Sequence, residues 1–303
     1  MQTRDPESHL FSVPWLDRRT EIRRADDWLP DTLADPAARF IVSHGTAHLI
    51  RREPAPGIAF VNATHPWVRQ AAPADFTLLG WYQGSPCVSL MLRAEPSDQT
   101  PDATFEELRG LLPLLSPADI ALLGYARALL VWRTRHRHCG VCGSPTEPRS
   151  AGHVLRCTSS RCGEEYFPRT DPAIIVLVTH GSRALLGRQA SWPPGRYSAL
   201  AGFVEAGECL EDAVIREVHE ETSVRVRAVK YFASQPWPFP ASLMLGFHAS
   251  ATPDQPVQLD GELEDARWFS AEELQAAPSG MLPPPYTIAR HLIEHWFERL
   301  RNG

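Results

Sequence analysis

Three carboxylates and an arginine crowd the end of the stretch Gly202 to Val224, GFVEAGECLEDAVIREVHEETSV, at a spacing that suits cation chemistry. With Leu210 to Thr222 helical at about 100° per residue, Glu217, Glu220 and Glu221 project within roughly a 100° arc. Val214, Ile215 and Val218 occupy the neighbouring arc. Like charges three or four residues apart on a helix cost roughly 0.2–0.5 kcal/mol per pair. A hard dication removes that cost, because Mg²⁺ takes oxygen ligands, typically carboxylates together with substrate phosphates. A solvated acidic face, with Arg216 and Glu220 as an i,i+4 pair, is the competing reading of a bare ExxEE.

A second constellation is HRHCGVCGSPTEPRSAGHVLRCTSSRCGEEYFP. Cys139 and Cys142 form a CxxC, fourteen residues intervene, and Cys157 and Cys162 form a CxxxxC. Two short-spaced pairs on glycine-flanked turns suit one tetrahedral zinc ion. Four thiolates would close every coordination position, so the site is structural, since catalytic zinc keeps one position open. Four buried cysteines or two redox pairs are the alternatives, and His136, His138 and His153 lie near enough to be alternative ligands. Cys87 and Cys209 read as small apolar residues.

The rest of the 303 residues must hold these groups in place. With 43% hydrophobic and 22% charged residues the chain is ordinary globular material, long enough for two domains. A net charge of −6 argues against a broadly basic nucleic-acid surface and leaves an anionic substrate to a metal ion or a local arginine cluster. The opening MQTRDPESHL lacks the apolar core of a signal peptide, and no run approaches the roughly 18 apolar residues of a membrane span. A soluble, cytoplasmic protein without membrane association is the expectation.

Runs such as ARFIVSHGTAHLI, GIAFVNA, FTLLGWYQ and PCVSLMLR predict strands of a small β-rich domain over residues 1–125. From Thr104 the spacing turns helical in ATFEELRGLLPLL, and after Ser116-Pro117 in ADIALLGYARALLVWRTRH, with Ser116 as N-cap and Pro117 in the first turn. Residues 126–168 then carry the end of that helix and the cysteine segment. Over residues 169–303, two strands flank His180-Gly181-Ser182, and another runs from Tyr197 to Val204 into the acidic helix. A strand, RVRAVKYFA, precedes SQPWPFPAS, Ser234 to Ser242. Three prolines alternating with two aromatics predict a stiff loop instead of a central strand. Such a loop serves either as a proline-rich partner motif or as a wall for flat rings.

The acidic stretch resembles the Nudix box, GX5EX7REUXEEXGU with U a bulky aliphatic residue. Every fixed position matches except that Ser223 stands where glycine is usual. A side chain in the left-handed conformation common there costs roughly 1 kcal/mol, which bears on the helix exit and not on the carboxylates. SQPWPFPAS resembles the motif that marks the NADH pyrophosphatases among Nudix proteins. Cysteine segment, box and loop follow in that family's order, over residues 125 to 303.

The resemblance implies an α+β architecture: an α-β-α Nudix sandwich with a mixed sheet, after a zinc ribbon and the β-rich N-terminal domain. It implies hydrolysis of the pyrophosphate of NADH, and less efficiently NAD⁺, to a nicotinamide mononucleotide and AMP; bacterial relatives also remove the NAD cap from RNA. Two or three Mg²⁺ or Mn²⁺ ions would be held by Glu217, Glu221, the backbone oxygen of Ala201 and Glu262, with Asp265 in reserve. Glu220 would act as base or further ligand, and Arg216 would orient the carboxylates. Gln235, Pro236, Trp237, Pro238, Phe239, Pro240, Ala241 and Ser242 would line the dinucleotide site with Ala289. Phe167, at a position usually occupied by tyrosine, and Phe203 would offer rings. Family members are homodimers, so a homodimer is expected. RTRHR, residues 133 to 137, is a candidate RNA contact. A non-catalytic sensor that binds nucleotide or a partner is the alternative function.

Overall fold

A computed structural model of the chain describes residues 10–25, 27–94, 96, 102–252, 256–259 and 261–302. Of the opening MQTRDPESHL only Leu10 lies among them. The chain divides into two compact units. One comprises Phe11–Arg169 with Pro238–Ala241; the other comprises Thr170–Trp237 and the chain from Ser242 onward, with Leu10. No described helix is long and apolar enough to cross a membrane.

In the N-terminal unit α1 (Trp28–Ala34) precedes β1 (Arg39–His44), β2 (Ala47–Arg51), β3 (Gly57–Ile58) and α2 (Pro66–Gln70). Then come β4 (Phe76–Tyr82), β5 (Ser85–Leu92), β6 (Ala103–Glu107), α3 (Leu108–Leu111) and α4 (Pro117–Arg135). The sheet order is β3-β2-β1-β5-β4, with β6 also paired to β2. β1 runs parallel to β5 and the remaining pairs are antiparallel. Phe40, Val42, Leu49, Phe76, Leu78, Val88 and Leu90 form its core. Each fully buried aliphatic or aromatic side chain contributes roughly 1.5–3 kcal/mol. ATFEE, read as helical, is β6: Phe105 pairs with Leu49 across the sheet, and the neighbouring strand overrides the local spacing.

Ser116 caps α4, its hydroxyl accepting from the Asp119 amide at 3.1 Å with Pro117 in the first turn. β7 (Thr146–Arg149), β8 (Val154–Cys157) and β9 (Glu165–Tyr166) make a three-stranded ribbon. It is tied down by His153 Nε2, 2.7 Å from the carbonyl of Leu78. Burial pushes His153 down to about 4, opposed by that carbonyl bond, and pushes His48 down to about 3 with help from the charge of Arg127. Both imidazoles are neutral when folded, whereas in the unfolded chain they protonate near 6.5. The unfolded state therefore binds more protons below 6.5, and stability falls with pH until each folded value is passed. The unfolding temperature should drop steadily from pH 7 to pH 4, and a His153→Gln variant should show a shallower slope in that window.

The C-terminal unit holds β10 (Asp171–His180), β11 (Arg183–Arg188), β12 (Leu200–Phe203), α5 (Leu210–Thr222), β13 (Val226–Trp237), β14 (Ser242–Ala251), β15 (Asp265–Ser270), α6 (Ala271–Gln275) and α7 (Ile288–Asn302). Strand order is β13-β14-β10-β11-β15, with β12 on β10; β10 and β14 are parallel. β10 explains the layering. Ile174, Val176 and Val178 pack with Val214 and Val218 of α5, while Ile175 and Leu177 pack with Leu292, Ile293 and Trp296 of α7. A strand covered on both faces reads as one apolar run, IIVLV. The result is a mixed sheet between helices.

Ser234 to Trp237, read as loop, continue β13, with Gln235 opposite Met244 and Trp237 opposite Ser242. β13 is an edge strand, where Pro236 forfeits no ladder bond on its open side. Only Pro238–Ala241 forms the turn. At the far end of α5, Ser223 sits in the left-handed region at φ 58°, its N–H donating to the carbonyl of His219 at 2.8 Å. Ser223→Gly should raise the unfolding free energy by about 0.5–1 kcal/mol without changing activity, measurable by denaturant titration.

Candidate active site

α5 starts at Leu210, and its buried face is made by Ala213, Val214 and Val218. Ile215, placed on the apolar arc by spacing, stays exposed. Cys209 precedes the helix as an exposed N-cap whose thiol donates to the Asp212 carboxylate at 3.0 Å, so it is a polar terminus and not an apolar filler. Cys87 fits the apolar reading: it is fully buried, and burial pushes its thiol up to about 12.

Arg216 is the hub of the acidic edge. Its Nε and Nη2 donate to the two oxygens of Glu208 at 2.6 and 2.8 Å, and Nη2 also donates to the carbonyl of Phe203 at 2.9 Å. Nη1 reaches Glu220 at 2.9 Å and Glu217 at 3.0 Å. The fork thus staples the GFVEAGE loop to the helix through charge-assisted bonds. Those bonds, with the Glu205 amide, hold Glu208 down at about 2. Glu208 is a positioning residue that spacing alone did not single out, although it is a fixed letter of the box.

Gly202 explains itself by contact. A Cβ there would lie 1.9 Å from the Glu217 carboxyl carbon, so the β12 backbone lies directly against that carboxylate. Burial raises Glu217 above the ordinary carboxylate value, and the negative charges of Glu220 and Glu262 raise it further against the pull of Arg216. Glu262 is therefore within electrostatic reach of Glu217. Glu221, on the same helix, is only 3% exposed. Asp265 accepts the Tyr197 hydroxyl at the start of β15. The Glu217 carboxylate, the Gly202 backbone and the Arg216 guanidinium meet at this position; carboxylates suit a hard divalent cation, and the elevation of Glu217 by burial and by its acidic neighbours is what such a cation relieves.

The other substrate-binding candidates divide. Phe203 ends β12 and is 59% exposed, and Phe167 follows β9 at 65% exposure in the N-terminal unit. Gln235 is fully buried, its amide donating to the carbonyls of Leu10 and Tyr286 at 3.3 and 2.8 Å, while its oxygen accepts from the Ile288 amide at 2.8 Å. It pins the start of α7, where Ala289 is buried in the core, so Ala289 presents no side chain outward. Pro236, Trp237 and Ser242 lie on the β13–β14 edge, and Pro238, Phe239, Pro240 and Ala241 group with the N-terminal unit.

The sulfurs of Cys139, Cys142, Cys157 and Cys162 lie within 4.8 Å of one another, the only such set of three or more metal-ligating side chains among the described residues. Of the nearby histidines, His136 Nδ1 meets the carbonyl of Trp132 and His153 meets that of Leu78, while His138 is exposed and outside the set. Tyr166, which spacing gave no reason to notice, accepts from the Gly140 amide and lies 3.1 Å from Cys139 Sγ. A hydrogen bond with that hydroxyl lowers the Cys139 thiol to about 6, while Cys157 and Cys162 of the same cluster are pushed up by burial and by their neighbouring sulfurs. Within RTRHR, Arg133 is buried and donates to the carbonyls of Ala74 and Phe76, so only Arg135 and Arg137 are exposed.

Comparison with known proteins accords with this architecture. Residues 169–292 match the NUDIX domain, 37–132 the NADH pyrophosphatase-like rudimentary NUDIX domain, and 134–167 the NADH pyrophosphatase zinc ribbon domain. A Mycobacterium bovis protein named NAD-capped RNA hydrolase NudC is 41% identical over 95% of this chain and 96% of its own length. Proteins of the same name from Stutzerimonas stutzeri and Pseudomonas aeruginosa are 44% and 43% identical, over 73% and 74% of this chain and 77% of their own lengths. With 41% identity across nearly the full length of both chains and all three domain matches, this chain belongs to the NADH pyrophosphatase family of NUDIX hydrolases.

Proposed function

We propose that the chain hydrolyses the pyrophosphate bond of NADH and NAD⁺, releasing a nicotinamide mononucleotide and AMP, and removes the same dinucleotide as a cap from RNA 5′ ends. The observation that carries this reading is the contact of the Gly202 backbone with the Glu217 carboxylate, under a guanidinium that gathers Glu208, Glu217 and Glu220. Glu217, Glu221, Glu262 and the Ala201 carbonyl would hold Mg²⁺ or Mn²⁺, which would supply charge neutralisation at the diphosphate and a more acidic water. Arg216 would keep the carboxylates in register, and Glu220, exposed and tied to Arg216, would serve as base or further metal ligand. Phe203 offers a ring to the dinucleotide, as does Phe167, and residues Gln235 to Ser242 shape its pocket.

The division into residues 1–125, 126–168 and 169–303, a structural zinc ion on the four cysteines, a cytoplasmic setting and a homodimer complete the proposal. The test places NADH, NAD⁺, FAD and NAD-capped RNA side by side with and without divalent metal. NADH, NAD⁺ and capped RNA should be cleaved only with metal, FAD more slowly. NADH bound without hydrolysis would favour the sensor reading instead.

A further inference from the structure

The turn of the signature loop is held by a set of residues outside the loop. Between Trp237 and Ser242 the chain leaves the edge of its own sheet, and Pro238–Ala241 packs as part of the N-terminal unit. Arg127 of α4 donates from Nη1 to the carbonyl of Pro238 at 2.6 Å and sets its guanidinium carbon 5.1 Å from the centre of the Phe239 ring. Arg109 of α3 approaches that ring at 4.6 Å, and Phe11 meets it edge-on at 5.7 Å. Gly124, one turn before Arg127, makes the approach possible: a Cβ there would lie 2.5 Å from the Phe11 ring and 3.3 Å from Pro238.

A cleft of about 350 Å³ opens beside these groups, lined by Glu107, Arg109, Arg127, Phe239 and Pro240. Two arginines suggest an anion site, but the chemistry argues otherwise. Both guanidiniums face the π-electrons of Phe239, Arg127 also serves a carbonyl, and the Glu107 carboxylate shares the lining. Proline stiffens the turn but cannot choose where it rests. A cation over a ring together with a charged donor on a carbonyl does both.

We propose that Arg127, assisted by Arg109, is a positioning residue that locks Phe239 and Pro238 of the signature turn against α4 and thereby sets the affinity for the dinucleotide. The effect on affinity rests on the function proposed above; the docking of the turn does not. Arg127 touches neither substrate nor metal in this scheme, so its effect is on KM.

The experiment uses the full-length, zinc-loaded protein and the variants Arg127→Met, Arg127→Lys, Phe239→Leu and the Met/Leu double variant. Arg127→Met should raise the KM for NADH about tenfold with kcat within about twofold, and Arg127→Lys, which keeps the charge, should recover most of the loss. The double variant should be no worse than Phe239→Leu alone, because each acts through the other. Hydrogen exchange at the Phe239 and Ala241 amides, read without substrate, should quicken at least tenfold in Arg127→Met and in Phe239→Leu, with α5 unchanged. Unaltered exchange in both variants, or additive KM effects, overturns the proposal. Should the wild-type protein leave NADH intact, the parent function fails while the exchange rates still decide whether the turn is clamped.

Discussion

Glu221→Gln should abolish AMP release from NADH, lowering kcat by about 10³ or more (~4 kcal/mol in the barrier), while the unfolding temperature stays within a few degrees. Glutamine keeps the shape of a side chain that is only 3% exposed on α5. The packing of Val214 and Val218 beneath it is untouched. What disappears is one negative charge from the acids proposed to attract cations. Because glutamine keeps the volume of the side chain and still offers a hydrogen-bonding amide, folding and activity should separate. Turnover retained within tenfold of wild type would remove Glu221 from the metal site. Steady-state kinetics in saturating Mn²⁺, paired with a thermal melt, reads both quantities.

Gly202→Ala should be nearly as damaging, although it adds a single methyl group and removes no charge. That methyl would stand 1.9 Å from the Glu217 carboxyl carbon, so either β12 or the carboxylate must shift by an ångström or more. Misplacement on that scale costs roughly 10²-fold in rate. The strain should also cost about 1–3 kcal/mol of stability, as overpacking does elsewhere. Arg216 would report the shift, because its bond to the Phe203 carbonyl depends on the same backbone. If kcat changes less than threefold, the carboxylate beside Gly202 is not where the chemistry depends on placement.

The helix carrying the acids was legible in its bounds and in its left-handed exit at Ser223, which derive from local rules, whereas spacing misplaced the exposed Ile215 and read the N-cap Cys209 as apolar. Ser116 as a cap and the four clustered sulfurs were legible for the same reason, since caps and close-spaced ligands are decided within a few residues. What escaped depends on distant partners. ATFEE becomes a strand only because β2 lies beside it, and Pro236 remains in a strand only because β13 is an edge. The roles of Glu208, Tyr166 and Arg127 arise from side chains meeting across 8, 27 and 111 residues of sequence, and no periodicity encodes such meetings. Arg133 shows the converse: it reads as a surface cation in a basic run, yet three backbone and hydroxyl oxygens draw it inside.

The most direct test is to titrate Mn²⁺ into chelator-treated, zinc-retaining protein and follow the products formed from NADH. AMP and reduced nicotinamide mononucleotide should appear in equal amounts, at a rate that rises saturably from background as the metal is added. NADH recovered intact at every Mn²⁺ concentration, or cleavage indifferent to the metal, would contradict the assignment of the α5 carboxylates to a metal-dependent diphosphatase.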